Sequence, residues 1–227
     1  MSESHHPIVN DFKYYLNLEK RFDEKTIKNV IAAYYGLVSF LDFNVGRLLD
    51  TLSKTGLYNN THIIFCSDHG ECMGQRGLWA KSVLYEESVG IPLILSGPGI
   101  KEKKECKTPV SLIDICPTIL ELSGNLSTET ILPNKDSKSL LRLISDDYDP
   151  SRKVFSEYHA TGSPSSSFMI RKGDWKYIHY TLYEDELFNV RRDPFERENK
   201  ISKLGNKDIL NELKLELSMV CDPIKVY

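Results

Sequence analysis

The chain has 227 residues, 41% of them hydrophobic and 27% charged, with 29 basic against 32 acidic side chains and a formal charge of −3. That composition belongs to a globular protein with room for one large domain, or for one domain and a smaller companion. The balance of charge gives no reason to expect nucleic acid or a membrane surface as partner, and no apolar stretch approaches the ~20 residues that cross a bilayer.

The first residues, Met1-Ser2-Glu3-Ser4-His5-His6-Pro7, lack the cationic start and apolar core of a signal peptide. His5-His6 reads as a flexible terminal pair. Asp23 suits the N-cap of a long helix, because Ile27, Val30, Ile31, Tyr34, Leu37, Val38, Leu41, Val45, Leu48 and Leu52 recur at three- and four-residue spacing. Gly56 suits the left-handed residue that follows a helix end. A helix of roughly thirty residues is long for a globular domain and is expected to pack across a whole sheet. His62 to Cys66 reads as a buried parallel strand. Residues 70–90 hold four glycines and no clear period, which predicts a functional loop with a short helix near Ser82 to Glu87. Ile91 to Leu95 is the next buried strand, and Lys101 to Lys107 a charged loop. Asp114 to Leu122 reads as a short helix that tolerates Pro117 in its first turn and closes at Gly124. Helix, strand, loop, strand and helix in this order predict an α/β layered domain over 1–150.

From Asn125 to Arg152 the composition shifts to Ser, Asp, Asn, Lys and Pro, a surface excursion around a short helix at Ser137 to Ile144. The period then changes. Val154 to Tyr158, Ser167 to Arg171, Trp175 to Tyr180 and Leu187 to Val190 alternate like strands, with the turn Lys172-Gly173-Asp174 between two of them. Asp208 to Val220 is a terminal amphipathic helix. Residues 151–227 are therefore predicted to form a small α+β subdomain on an antiparallel sheet. Trp175, Tyr177 and Tyr180 read as packing residues there. The five cysteines are odd in number and scattered, which argues against a disulfide framework and for a reducing, cytoplasmic setting. The sequons Asn59-Asn60-Thr61 and Asn125-Leu126-Ser127 have meaning only in a secreted protein.

The chemistry concentrates in Ser67-Asp68-His69-Gly70-Glu71, where an apolar strand empties into a loop. Open α/β sheets build sites at the carboxyl ends of strands. A carboxylate and an imidazole are both ligands for a divalent cation, and Gly70 suits a sharp turn beside them. On spacing alone, an Asp that caps a turn next to a surface His fits better. Cys66, His69 and Cys72 also form a Cys-X2-His-X2-Cys pattern, but no fourth zinc ligand follows at finger-like spacing, and Cys66 suits a small hydrophobe at the end of its run. Further on comes Lys81, in Gly77-Leu78-Trp79-Ala80-Lys81-Ser82, then Tyr85-Glu86-Glu87-Ser88 and the second apolar run closed by Gly97-Pro98-Gly99. Glu157 and His159 could edge a pocket from the small sheet, or sit at a solvated strand end.

As an ordered string, residues 61–99 resemble the sulfatases of the alkaline-phosphatase superfamily, nearest to the choline-sulfatase-like and phosphonate-monoester-hydrolase-like branch. The likeness extends to Ala33-Tyr34-Tyr35-Gly36-Leu37-Val38-Ser39-Phe40-Leu41-Asp42, to Ser111-Leu112-Ile113-Asp114-Ile115-Cys116-Pro117-Thr118, and to Met169-Ile170-Arg171-Lys172-Gly173-Asp174-Trp175-Lys176-Tyr177. It implies the C-terminal part of an alkaline-phosphatase-like layered α/β domain, followed by a small antiparallel-sheet subdomain with a terminal helix. It implies a sulfuric ester hydrolase acting on a small-molecule or glycan sulfate ester, with Asp68 and His69 as metal ligands. The divalent metal is expected to be calcium. Lys81 would contact the sulfate group and help the ester oxygen leave, as both a substrate-binding and a catalytic residue. The family's histidine general acid has its nearest counterpart in His5-His6. The family nucleophile is a Cys-X-Pro-X-Arg or Ser-X-Pro-X-Arg motif whose first residue becomes formylglycine. Cys221-Asp222-Pro223-Ile224-Lys225 has Lys in place of Arg, and Ser96-Gly97-Pro98-Gly99-Ile100 also lacks it. The expectation is thus a sulfatase fragment without its nucleophile, inactive by itself. The alternatives are a phosphonate monoester or phosphodiester hydrolase, and a non-catalytic remnant. Half of an α/β sheet would expose strand edges and an apolar face, so the isolated chain is expected to be marginal or to self-associate as a homo-oligomer.

Overall fold

The computed structural model describes residues 6–17, 22–102, 104–125, 135–145, 148–160 and 162–223. The chain opens with a helix absent from the sequence expectation, α1 (Pro7–Tyr15). Its cap is His6: the ring Nδ1 accepts from the Ile8 N–H at 3.3 Å, Nε2 donates to the Glu184 carbonyl at 2.8 Å, and the ring stacks on Tyr180. His6 is therefore anchored and not part of a loose terminal pair, while His5 lies outside the described residues. Pro7 at the first helical position has no N–H to leave unpaired.

The long helix is present as α2 (Glu24–Lys54), 31 residues capped by the Asp23 carboxylate on the Thr26 N–H at 2.7 Å. Gly56 follows it at φ +73°. The expectation that α2 packs across a sheet is not met, because none of its residues is buried. The chain continues into two short strands, β1 (Ile63–Cys66) and β4 (Leu93–Ser96). These pair antiparallel, Ile63 with Ser96 through Cys66 with Leu93. That corrects the expected parallel strand, and neither is fully buried. Two short apolar runs do not encode direction. A parallel return needs a full crossover, whereas the intervening segment holds a one-turn helix, α3 (Glu86–Val89), a 3-10 turn at Gln75–Gly77 and the two-residue strands β2 (Cys72–Met73) and β3 (Trp79–Ala80). Cys66, expected as a small hydrophobe, is exposed.

After β4 the chain forms α4 (Ile115–Leu122) and the short α5 (Leu140–Leu143). Asp114 and Ser111 make a capping box ahead of α4. Asp114 is fully buried and accepts from Arg152 at 2.7 Å and 2.9 Å, a bidentate ion pair that ties this layer to the start of the next.

The small sheet has the order β5 (Lys153–Tyr158), β6 (Ser167–Lys172), β7 (Trp175–Tyr180), β8 (Glu186–Asn189), antiparallel throughout. Gly173, at φ +54°, opens the two-residue loop of the β6–β7 hairpin, where Lys172 faces Trp175. Alternation along the strands feeds two cores. Phe168, Ile170, Tyr177 and Leu187 pack against Leu213 and Leu217 of the terminal helix α6 (Lys207–Val220). Met169, Ile178, Tyr180 and Phe188 face the other way, onto Ile8, Val9 and Phe12 of α1 and onto Leu78, Leu84 and Tyr85 of the loop before α3. Tyr177 and Tyr180 are packing residues, as expected, and this second core joins residues from both sides of position 150.

Candidate functional site

The end of β1 and the small sheet enclose a cavity of about 1000 Å³. Asp68, His69 and Lys81 line it together, facing Glu157, Arg171 and Arg191 from the sheet side.

The Asp68–His69 turn is held by its own hydrogen bonds. Ser67 Oγ donates to the His69 carbonyl at 2.8 Å, and the His69 N–H donates to Asp68 Oδ1 at 3.0 Å. His69 Nδ1 lies 2.7 Å from the Gly70 carbonyl. A carbonyl can only accept, so Nδ1 carries the proton. In the neutral ring this leaves the lone pair on Nε2, which stands 3.5 Å from Asp68 Oδ2. Desolvation works against the Asp68 carboxylate, but hydrogen bonds from its own and the His69 backbone, with the charge of Lys81 and, whenever the ring is protonated, that of His69, hold its carboxyl below the usual range. Asp68 is therefore a standing anion beside an imidazole whose free lone pair is turned toward it, a donor pair chemically suited to a divalent cation. Among the described residues no third His, Cys, Asp or Glu joins them in a group that could hold a metal ion. The Cys-X2-His-X2-Cys reading fails on geometry as well, because Cys72 is buried in the core while Cys66 is exposed.

Gly70 serves a purpose other than the expected sharp turn. Its φ is not positive. A Cβ there would stand 2.2 Å from the Glu87 carbonyl oxygen, and its N–H donates to the Ser88 carbonyl at 2.7 Å. The glycine lets the Asp68–His69 turn and α3 touch backbone to backbone.

Lys81 sits between two residues in left-handed backbone, Ala80 at φ +67° and Ser82 at φ +87°, with Arg76 at φ +53° earlier in the loop. Each such non-glycine position costs on the order of 1 kcal/mol or more and persists only where the surroundings impose it. Lys81 is exposed on the cavity wall, close enough for its charge to act on Asp68.

The two carboxylates after Tyr85 are committed elsewhere. Glu87 forms an ion pair with Arg76 at 2.9 Å, and Arg76 also donates to the carbonyls of Phe195 and Glu196. Glu86 meets the fully buried Lys176 at 3.1 Å, and Lys176 lies 2.7 Å from Glu196. This network fixes α3, and with it the floor of the cavity, to the small sheet. Glu157 pairs with His159 at 3.2 Å, and Glu157 lines the cavity. Arg171 and Arg191 also reach it, although nothing local in the sequence marks them; both belong to strands or turns whose pattern reports packing.

A family model described as Sulfatase matches residues 1–125, and one described as N-sulphoglucosamine sulphohydrolase, C-terminal, matches residues 74–222. The chain belongs to the sulfatase family. It is similar to the choline-sulfatase of Rhizobium meliloti (strain 1021), 38% identical over 78% of this chain and 34% of that one. It is also similar to arylsulfatase K of Homo sapiens, 34% identical over 86% of this chain and 38% of that one. A protein solved in complex with its substrate D-glucosamine-2-N,6-O-disulfate aligns with a TM-score of 0.71 and 29% identity, covering 81% of this chain and 38% of the other. A phosphonate monoester hydrolase from Silicibacter pomeroyi shares the fold, with a TM-score of 0.79 at 24% identity over 96% of this chain and 47% of its own. The chain thus spans between about a third and just under half of the length of these relatives.

Proposed function

We propose that this chain carries part of the metal and sulfate site of a sulfuric ester hydrolase, with small-molecule or glycan sulfate esters as the substrate class. The supporting observation is the convergence of Asp68, His69 and Lys81 on one cavity. Asp68 and His69 Nε2 would hold a divalent cation, with calcium the candidate that carboxylate ligands favour. When bound, such a cation stabilises negative charge that develops on the sulfate oxygens. Lys81 would bind the tetrahedral anion as a point charge and offer a proton or hydrogen bond to the departing ester oxygen. The standing charge of Asp68 keeps a cation site open, and the carbonyl of Gly70 holds His69 in the tautomer that can ligate. None of these three groups is an attacking nucleophile in this reading, which assigns the opening of the ester to residues outside the trio.

Two measurements test the reading. Inorganic sulfate titrated into the chain and followed by amide NMR is expected to bind at the cavity, and Lys81→Ala to weaken it about tenfold, the loss of one charge-assisted contact. Binding unchanged by Lys81→Ala refutes the anion role. Aryl sulfate turnover by the purified chain with calcium is expected to be absent. Robust turnover lost in Asp68→Ala would refute the division of labour. A phosphonate monoester bound in preference to sulfate would favour the related hydrolase class instead.

A further inference from the structure

The sheet side of the cavity carries two guanidinium groups with donors to spare. Arg171 lies near the end of β6 and faces α3. Its Nη1 stands 3.5 Å from Glu86 Oε2, at the outer limit of a hydrogen bond, and the nearer cation to that carboxylate is Lys176 at 3.1 Å. A guanidinium has five N–H donors. The described residues engage just this one, and Nε is buried without a partner among them. Buried donors are satisfied as a rule, and one left over at a cavity wall points to a ligand. Arg191, just after β8, is exposed. Its contact with Asp174 is longer still, 3.6 Å, and Asp174 Oδ1 already accepts the Tyr148 hydroxyl at 3.2 Å. Both guanidinium charges act on that hydroxyl, so Arg171 and Arg191 share one corner of the cavity. This corner is apart from the Lys81 end. β5 lines the cavity with consecutive residues from Val154 to Tyr158, about 13 Å of strand at ~3.3 Å per residue, and Arg171 pairs with Val154 at one end of that run. Between the arginines and the Asp68–His69 turn stands α3, ~6 Å long: Glu86 at its start meets Arg171, while the Ser88 carbonyl accepts the Gly70 N–H. One sulfate group does not fill such a trough.

We propose that Arg171 and Arg191 form a second oxyanion subsite, so that the substrate class is a sulfate ester whose alcohol part carries another anion, a carboxylate or a further sulfate. The proposal rests on the reading of Lys81 as the sulfate-binding residue. A guanidinium fork matches the paired oxygens of either group, and two of them in one corner raise the local positive potential. Arg171 supplies the fixed part, 30% exposed and held against α3, while Arg191, 74% exposed, reaches the same corner from the rim. Carboxylates on the same wall have partners of their own: Lys176 for Glu86, the Tyr148 hydroxyl for Asp174, and His159, at 3.2 Å, for Glu157. A neutral alcohol part would leave both guanidiniums unanswered, and a cationic one would be repelled by them.

The test titrates the purified chain, at low ionic strength, with alkyl sulfates and with two matched series of increasing length whose far end carries a carboxylate or a second sulfate. Calorimetry reads the affinity, and the amide NMR signals of Arg171 and Arg191 read the place. At one length or more, the doubly charged ligand is expected to bind about tenfold tighter than the alkyl sulfate, as one added charge-assisted contact would give. Arg171→Gln and Arg191→Gln are expected to erase that gain and leave alkyl sulfate binding unchanged. Arg191 is exposed, so its variant keeps the test valid should Arg171→Gln loosen α3. Arg192→Gln, exposed and off the cavity wall, is expected to change neither. Lys81→Ala is expected to weaken all the ligands alike. The proposal is overturned if no length shows a gain, if the gain survives in both arginine variants, or if Arg192→Gln erases it as well. In each of those cases, alkyl sulfate binding lost in Lys81→Ala still upholds the reading of Lys81. An arginine-dependent gain that Lys81→Ala leaves untouched does the reverse: it supports the second subsite and refutes the sulfate role of Lys81. The series with the larger gain identifies the second anion as carboxylate or sulfate.

Discussion

Lys176→Met isolates the network that fixes the cavity floor. Lys176 is fully buried on β7, 3.1 Å from Glu86 Oε1 and 2.7 Å from Glu196 Oε1. Methionine keeps the length of the stem and removes the charge. Two buried carboxylates then lose their shared cation, and breaking a buried ion pair from one side costs about 3–5 kcal/mol. Residual contacts favour the lower end: Glu196 Oε2 still accepts the Glu86 N–H at 2.8 Å, and Arg171 stays 3.5 Å from Glu86. For a chain of this size that is a fall in melting temperature of roughly 6–15 °C. The sign with pH is opposite to ordinary acid denaturation. Burial already raises the Glu196 carboxyl above its usual value, against the pull of Lys176, and without the lysine it rises further. A carboxyl raised in the folded state contributes its full stability below the unfolded value, near pH 4–5, and loses it as pH climbs through the folded value. The variant should therefore approach the parent in urea midpoint at pH 5 and fall away from it at pH 8. Lys176→Met/Glu196→Gln should recover about 1 kcal/mol or more at pH 8, because one uncompensated charge is gone. A loss below ~1 kcal/mol that does not vary with pH would refute the argument, since it would mean that water or other charges already compensate the two glutamates.

Two further outcomes follow from the fold. Burial, with the charge of Glu87, pushes the Cys72 thiol up to about 12, while Cys66 and Cys116 are exposed. A thiol reagent at pH 8 should modify Cys66 and Cys116 within minutes and Cys72 only on unfolding; prompt labelling of Cys72 by mass spectrometry would show that the loop packing onto the small sheet is wrong. Asp185 is desolvated, yet hydrogen bonds from His179 at 2.8 Å and Tyr177 at 2.6 Å, with the charges of His179 and Lys214, hold its carboxyl low. Its contribution is present above the unfolded value near pH 4 and is lost as pH falls through the lower folded value, so the acid limb of stability should lie below about pH 4.

The sequence by itself determined the local elements and the chemistry-bearing turn. Asp23, the three- and four-residue spacing and Gly56 bound the long helix, the period-two runs mark all four strands of the small sheet, and the order of Asp68, His69 and Lys81 carries the sulfatase likeness. These are legible because capping, periodicity and backbone permission act over a few residues. The direction of β1 against β4, the anchoring of His6 on Tyr180 and Glu184, the close approach that requires Gly70, and the capture of Glu86 by Lys176 were decided only by the tertiary structure, since each depends on a partner brought from elsewhere in the chain. The exposure of α2 belongs with them: its apolar spacing is written in the sequence, but a stripe states only that something must cover it, and packing alone reveals that these residues do not.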